Sequence, residues 1–167
     1  MTQPFVAVLM GSDSDLPVLE ACFAVLKSLD IPFEARITSA HRTPAGTQQY
    51  VVDADQRGCA VFIAAAGMAA HLAGAVAANT VKPVIGIPID ASLAGLDALL
   101  STVQMPAGIP VAAVAIGKAG AKNAAYLAAQ MLSLSDTQLA TRLRDERAAN
   151  AAAVQEKNAA LQEQLQG

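Results

Sequence analysis

The apolar positions of the chain fall into short continuous runs separated by polar, glycine-rich breaks and by stretches with helical spacing. Phe5-Val6-Ala7-Val8-Leu9-Met10 is unbroken, the pattern of a strand covered on both faces of a parallel sheet, and it stops at Gly11-Ser12-Asp13-Ser14-Asp15. Leu19, Cys22, Phe23, Leu26 and Leu29 then recur at helical spacing, with Ser14 or Asp15 as the expected N-cap, Pro17 in the first turn and Asp30-Ile31-Pro32 as the stop. Phe33-Glu34-Ala35-Arg36-Ile37-Thr38 alternates, which predicts a second strand with one wet face, suited to a sheet edge. After Ser39-Ala40-His41-Arg42-Thr43-Pro44, a helix is expected from Pro44 to about Arg57, closed by Gly58.

The pattern then repeats. Ala60–Ala64 predicts a third strand, running into Ala65-to-Gly74 and a short alanine-rich helix; Val84–Pro88 predicts a fourth. A helix with Leu96, Leu99, Leu100 and Val103 on one face follows, and Val111–Ile116 predicts a fifth strand that opens into Gly117–Asn123 and an Ala/Leu helix ending near Leu134. Five strand–helix alternations predict a doubly wound parallel sheet with helices on both faces. From Ser135 the character changes: Ser135-Asp136-Thr137-Gln138 fits a capping box, and a long polar helix follows with Leu139, Leu143, Val154, Leu161 and Leu165 on a thin stripe. The expected organisation is one α/β domain over 1–134 and a dependent helix over 135–167. That helix is suited either to packing on a neighbouring subunit or to standing as a solvated tail.

Composition narrows the function. Of 167 residues, 54% are hydrophobic and only 15% charged, too little charge to coat a lone monomer, so self-association is expected. A net charge of −3 and 4% aromatic residues give neither a basic field nor stacking platforms, which argues against nucleic acid. With no apolar run of roughly 20 residues and no leader pattern, a soluble cytoplasmic protein is expected, with no membrane partner. Cys22 and Cys59 sit in apolar settings and read as buried free thiols, and two histidines with scattered acids give no zinc spacing, so no metal is expected.

In a parallel sheet every strand's carboxyl end meets the same rim. With strand order 2-1-3-4-5, the loops carrying Gly11-Ser12, His41-Arg42 and Gly67-to-His71 converge at the crevice between strands one and three. An imidazole beside a guanidinium is a proton carrier beside an anion clamp, although a His-Arg pair also serves simply to solvate a loop. Gly11-to-Asp15 offers hydroxyls and N–H groups to a phosphate, and Asp15 offers acceptors to ribose hydroxyls. The same residues equally make an ordinary helix cap. There is no third glycine for a dinucleotide fingerprint and no Gly-Lys-Ser/Thr, which leaves a mononucleotide or sugar phosphate. Small residues at Gly67, Ala69 and Ala70 permit close approach of a ligand, and His71 is either a ligand contact or a locally satisfied histidine. Gly117–Asn123 reads as a second phosphate loop or, preferred, as close helix packing through Ala121, Ala124 and Ala125.

Taken in order, Met10-Gly11-Ser12-x-Ser14-Asp15, Ser39-Ala40-His41-Arg42-Thr43-Pro44, Ala66-Gly67-x-Ala69-Ala70-His71-Leu72, Val103-Gln104-Met105-Pro106-x-Gly108-x-Pro110-Val111 and Ala115-Ile116-Gly117-x-x-Gly120-Ala121-x-Asn123-Ala124-Ala125 resemble the N5-carboxyaminoimidazole ribonucleotide mutase family of purine biosynthesis, over about residues 5–134. The resemblance implies a flavodoxin-like three-layer α/β/α sandwich, a homo-octamer with C-terminal helices on neighbouring subunits, and a cofactor-free transfer of a carboxylate from an exocyclic nitrogen to a ring carbon. It implies that Ser12, Asp15 and Arg42 bind the ribonucleotide, with Ser39 assisting at the phosphate and Asp15 at the ribose, and that His41 carries the proton. Gly67, Ala69, Ala70, His71 and Leu72 form the pocket for the carboxylate or carbon dioxide on the same grounds. Met68 stands where many members have glycine, and Ala73 where many have proline. Direct carboxylation of aminoimidazole ribonucleotide and a non-catalytic nucleotide-binding module are the competing readings.

Overall fold

The computed structural model describes residues 4–166; residues 1–3 and 167, the outermost positions of the two expected units, lie outside the described residues. Five strands form one parallel sheet in the order β2-β1-β3-β4-β5: β1 (Phe5–Met10), β2 (Phe33–Ile37), β3 (Cys59–Gly67), β4 (Val84–Ile89) and β5 (Ala112–Ala113). Between them and after them run α1 (Leu16–Ser28), α2 (Pro44–Gln56), α3 (Leu72–Ala77), α4 (Leu96–Val103), α5 (Gly117–Ser133) and α6 (Thr137–Gln166). This is the doubly wound parallel sheet that the alternation of runs predicts, in the flavodoxin-like three-layer α/β/α form and strand order 2-1-3-4-5.

Alternate residues of each strand feed two cores. On one face, Val6, Val8, Val61, Ile63, Ile85 and Ile87 pack under α1 and α5; on the other, Ala7, Leu9, Phe62 and Ala64 pack under α2 and α3. β1 is buried at every position, as its unbroken apolar sequence requires, while β2 is half open along the edge. Cys22 belongs to one core and Cys59 to the other, so the sheet separates them; both are free, and burial pushes their thiols up to about 12 and about 11. Gly58 closes α2 as expected, with its φ at +98°.

Several local expectations are corrected. β3 extends beyond 60–64 to Gly67, because β4 offers a continuous partner as far as Gly67↔Ile89. The fifth strand shrinks from the expected 111–116 to two residues: one more bond, Val114 N–H to the Gly86 carbonyl at 3.1 Å, is made before the chain turns into α5. That helix starts at Gly117, so 117–123 is not a loop; Ala121, Ala124 and Ala125 are fully buried against the sheet, the packing alternative preferred for them. Asp15 does precede α1, but the capping side chain is Ser12, whose hydroxyl accepts from the Ser14 N–H at 3.3 Å. At α6 the cap is Asp136, accepting from the Gln138 and Leu139 N–H groups at 3.0 Å each, instead of Ser135.

The largest departure concerns α4. Its leucine stripe faces outward: Leu96, Leu100 and Val103 are about half exposed, and the helix meets the sheet through Ala98 and Thr102. Gly86 explains the inversion, since a Cβ there would collide with the Thr102 methyl; β4 is dented to receive a small helix face. Beyond Leu139 and Leu143, α6 also leaves its own domain, with Val154, Leu161 and Leu165 exposed. Two apolar surfaces thus stand open on one subunit, in keeping with the low charge of the chain.

The edge strand is tied to α2 by ions. Arg57 holds both Glu34 oxygens and Asp53, and Tyr50 donates to Glu34 at 3.2 Å. The Arg57 hydrogen bond, foremost, keeps the Glu34 carboxyl below its ordinary 4.5. A depressed carboxylate stabilises the fold fully above pH 4.5 and loses that contribution as pH falls through its lower folded value. Arg57→Ala is therefore expected to flatten the acid limb of a stability-versus-pH curve below 4.5 and to lower the melting temperature less at high salt than at low salt, as urea titrations and thermal scans would read. Phe62→Ala, emptying the centre of the second core, is expected to cost about 3–5 kcal/mol in the same assays.

Candidate functional site

Three loops leave the carboxyl ends of β1, β2 and β3 level with one another. The ladder continues past the strands: the Thr38 N–H donates to the Met10 carbonyl at 2.9 Å and the Gly11 N–H to the Ala65 carbonyl at 3.3 Å. The first residues of the loops after β1 and β2 are accordingly fixed against a neighbouring strand before any side chain is considered.

The loop after β2 is held by its own hydroxyls. The Thr43 N–H and Oγ1 both donate to the Ser39 carbonyl, at 2.9 and 3.1 Å, while Thr43 Oγ1 accepts from the Ser39 N–H at 3.0 Å. The Ser39 hydroxyl accepts from the Arg42 N–H at 3.1 Å. Underneath, the buried Thr38 and Thr47 hydroxyls meet at 2.7 Å and pin the loop to α2. This turn uses its short polar side chains internally and pushes the two long ones, His41 and Arg42, outward.

Arg42 reaches across to the loop after β1, donating from Nη2 to the Gly11 carbonyl at 3.4 Å. That loop is a capping box: the Ser12 N–H donates to Asp15 Oδ2 at 3.1 Å, opposite the Ser12–Ser14 bond. Asp15 is 7% exposed, and burial, the leading cause, raises its carboxyl above the ordinary range against the backbone donors of Ser12 and Gly11 that lower it. Ser12 and Asp15 thus serve each other as a cap, one of the two readings their spacing allows.

The loop after β3 brings the second histidine. His41 Nε2 lies 2.7 Å from His71 Nδ1, with the rings edge-to-face at 4.9 Å between centroids. Such a bond needs a proton from one ring and a lone pair from the other, so the bonded pair holds at most one imidazolium. His71 precedes α3 directly, and Gly67 before it stands so near the loop after β4 that a Cβ there would lie 2.9 Å from the Ala91 Cβ.

These groups line one cleft of about 480 Å³. Of the ten residues singled out from sequence, Ser12, Asp15, Ser39, His41, Arg42, Gly67, Ala69, His71 and Leu72 face it; Ala70, 1% exposed, lies beneath the loop and supports it. Sequence reasoning missed Ala91, and noted Met68 only as a departure from the family's glycine, not as a cleft residue. Ala91 carried no signal, because only the register of β4 against β3 brings its loop to this rim. Met68 carried one, as a bulky residue between small ones, and it adopts φ +55° there.

Comparison with known proteins gives one answer. A sequence model of the family described as AIR carboxylase matches residues 5–153, reaching into α6 and so further than the motifs legible by eye. The N5-carboxyaminoimidazole ribonucleotide mutase of Bacillus subtilis is 51% identical over 149 residues, 89% of this chain and 91% of that one; that of Mycobacterium leprae is 55% identical over 142 residues, 84% and 82%. The phosphoribosylaminoimidazole carboxylase of Saccharomyces cerevisiae is 51% identical over 144 residues, 86% of this chain but 25% of its own length. Among solved structures, PurE of Treponema denticola superposes with a TM-score of 0.87 at 32% identity, over 95% of this chain and 99% of that one. With a matched sequence, a matched topology and the three loops level on one rim, the chain belongs to the AIR carboxylase family.

Proposed function

We propose that this chain is an N5-carboxyaminoimidazole ribonucleotide mutase of purine biosynthesis, converting its substrate to 4-carboxy-5-aminoimidazole ribonucleotide by releasing carbon dioxide inside the cleft and recapturing it. The observation that carries this reading is the His41–His71 contact at 2.7 Å in the cleft that Arg42 also lines, with glycine and alanine along much of its wall. Arg42 and the Ser12 and Ser39 hydroxyls clamp the phosphate, and Asp15 turns toward the ribose. Gly67, Ala69, His71 and Leu72 surround the carboxylate, with Ala70 supporting their loop from beneath.

The proton balance needs a single group. His41 starts as the imidazolium, its Nε2–H donating to the lone pair of His71 Nδ1, which orients it. As the carbamate N–C bond breaks, carbon dioxide leaves, the electron pair stays on the exocyclic nitrogen, and that nitrogen takes the His41 proton. The electron-rich ring carbon then attacks carbon dioxide, forming the C–C bond. The neutral imidazole removes the proton from that carbon, and His41 is again charged. Between the two bond events carbon dioxide is held at high effective concentration by a wall without bulky polar groups. Direct carboxylation uses only the second half, C–C bond formation with carbon dioxide from solution followed by loss of the ring-carbon proton to a His41 that starts neutral; the Saccharomyces relative is named a phosphoribosylaminoimidazole carboxylase.

The chain works as an assembly in this reading, a homo-octamer by family resemblance. The half-exposed Leu96, Leu100 and Val103 face and the free half of α6 supply surface for neighbouring subunits. The body over 1–134 and the tail over 135–167 then form one dependent unit.

The test is turnover of freshly prepared N5-carboxyaminoimidazole ribonucleotide, with bicarbonate varied separately. Turnover without bicarbonate supports the mutase. Turnover only from aminoimidazole ribonucleotide plus bicarbonate would move the chain to the carboxylase, and binding without either would leave a nucleotide-binding module. His41→Asn is expected to lower kcat by about two to four decades with substrate affinity kept. Arg42→Ala is expected to act chiefly on KM, raising it about tenfold or more, since a charge-assisted phosphate contact is worth roughly 1.5–3 kcal/mol.

A further inference from the structure

Around the cleft, one large apolar side chain stands open to solvent. Leu72, the other large apolar residue lining it, is 2% exposed, whereas Met68 is 59% exposed. Its backbone lies at φ +55°, a left-handed conformation that costs an L-residue and costs glycine nothing. The turn that carries it is fixed: the Ala70 N–H donates to the Met68 carbonyl at 2.9 Å and the His71 N–H to the Ala69 carbonyl at 2.8 Å. Methyl-sized or absent side chains at Gly67, Ala69 and Ala70 flank it, and Gly67 is kept small by Ala91. Neither local packing nor backbone preference therefore accounts for a methionine here, while its place on the rim, three residues before His71, gives an unbranched thioether free reach over the cleft.

We propose that Met68 is the cover of this site: with substrate bound, its side chain folds over the aminoimidazole ring, sulfur against the ring edge, and shuts the carbon dioxide compartment from solvent. The substrate ring supplies an aromatic partner for the thioether, about 5 Å from sulfur to ring. Covering the ring keeps water from the reacting carbon and slows escape of carbon dioxide in the interval before the second bond forms. The inference rests on the mutase reading above and deepens it, because direct capture of carbon dioxide from solution has no intermediate to retain.

The experiment traces the fate of substrate labelled in the carbamate carbon, turned over in unlabelled bicarbonate with carbonic anhydrase present to scavenge the released gas. Wild type is expected to deliver most of the label into product. Met68→Gly, which also relieves the left-handed backbone and should melt no lower than wild type, is expected to lose label several-fold more often and to drop kcat/KM by roughly two- to tenfold, the size of one sulfur–aromatic contact. Met68→Leu, keeping the apolar reach, is expected to restore retention, a readout that a merely structural residue would not move. Equal retention in Met68→Gly and wild type overturns the cover while leaving the mutase intact. Absence of bicarbonate-free turnover in wild type overturns the mutase reading itself, so the two failures are distinguishable.

Discussion

The structure depends on β1 being paired in parallel on both sides. Its six residues are buried, its neighbours are β2 and β3, and the hydrogen bonding runs past the strand ends through Thr38 to Met10 and Gly11 to Ala65. Parallel pairing sets the carboxyl ends at one height, so loops separated by some thirty residues of helix and strand come back to the same rim. The 2.7 Å contact between His41 and His71 is a product of that geometry. Short hydroxyl side chains then convert an approximate meeting into a fixed one: Ser39, Thr43 and Thr47 hydrogen-bond to their own local backbone and turn the long side chains of His41 and Arg42 toward the cleft.

Small residues are the second organising element. Gly86 admits Thr102, Gly67 admits Ala91, and the buried alanines of α5 let that helix lie close on the sheet. Close layers shorten the reach needed from each loop, and the glycines and alanines in the cleft wall leave volume to the ligand. They also displace bulk outward, which is how a chain that is 54% hydrophobic comes to carry leucines on the outer face of α4.

Where the chain was legible, one physical cause dominated each position. Continuous apolar runs bounded by glycine or proline gave β1 and β4 almost to the residue, the alternation of Phe33–Ile37 gave an edge strand, and the topology rule brought both histidines together. The pattern misled where a distant partner decides. The stripe on α4 has ideal helical spacing, yet which face turns inward depends on Gly86, ten residues upstream in another element. The run 111–116 has the composition of a strand, but ladder length is set by the partner and by the turn into α5. Capping was displaced by a few residues because Ser12, Ser14, Asp15, Ser135 and Asp136 are interchangeable by type, and only backbone dihedrals choose among them. Ala91 could not be found at all, since nothing about an alanine announces a wall.

The two edges of the sheet are held unequally. β2 keeps a five-residue register with β1 and the Glu34–Arg57 clamp to α2, whereas β5 meets β4 over only Ile85↔Ala112 and Gly86↔Ala113. Local opening begins where the fewest backbone bonds must break. In this molecule that is the margin farthest from His41. Amide protons at the β5 margin would therefore trade with solvent through small excursions that leave the reacting groups in register, and the fold's weakest seam lies where its loss disturbs the chemistry least.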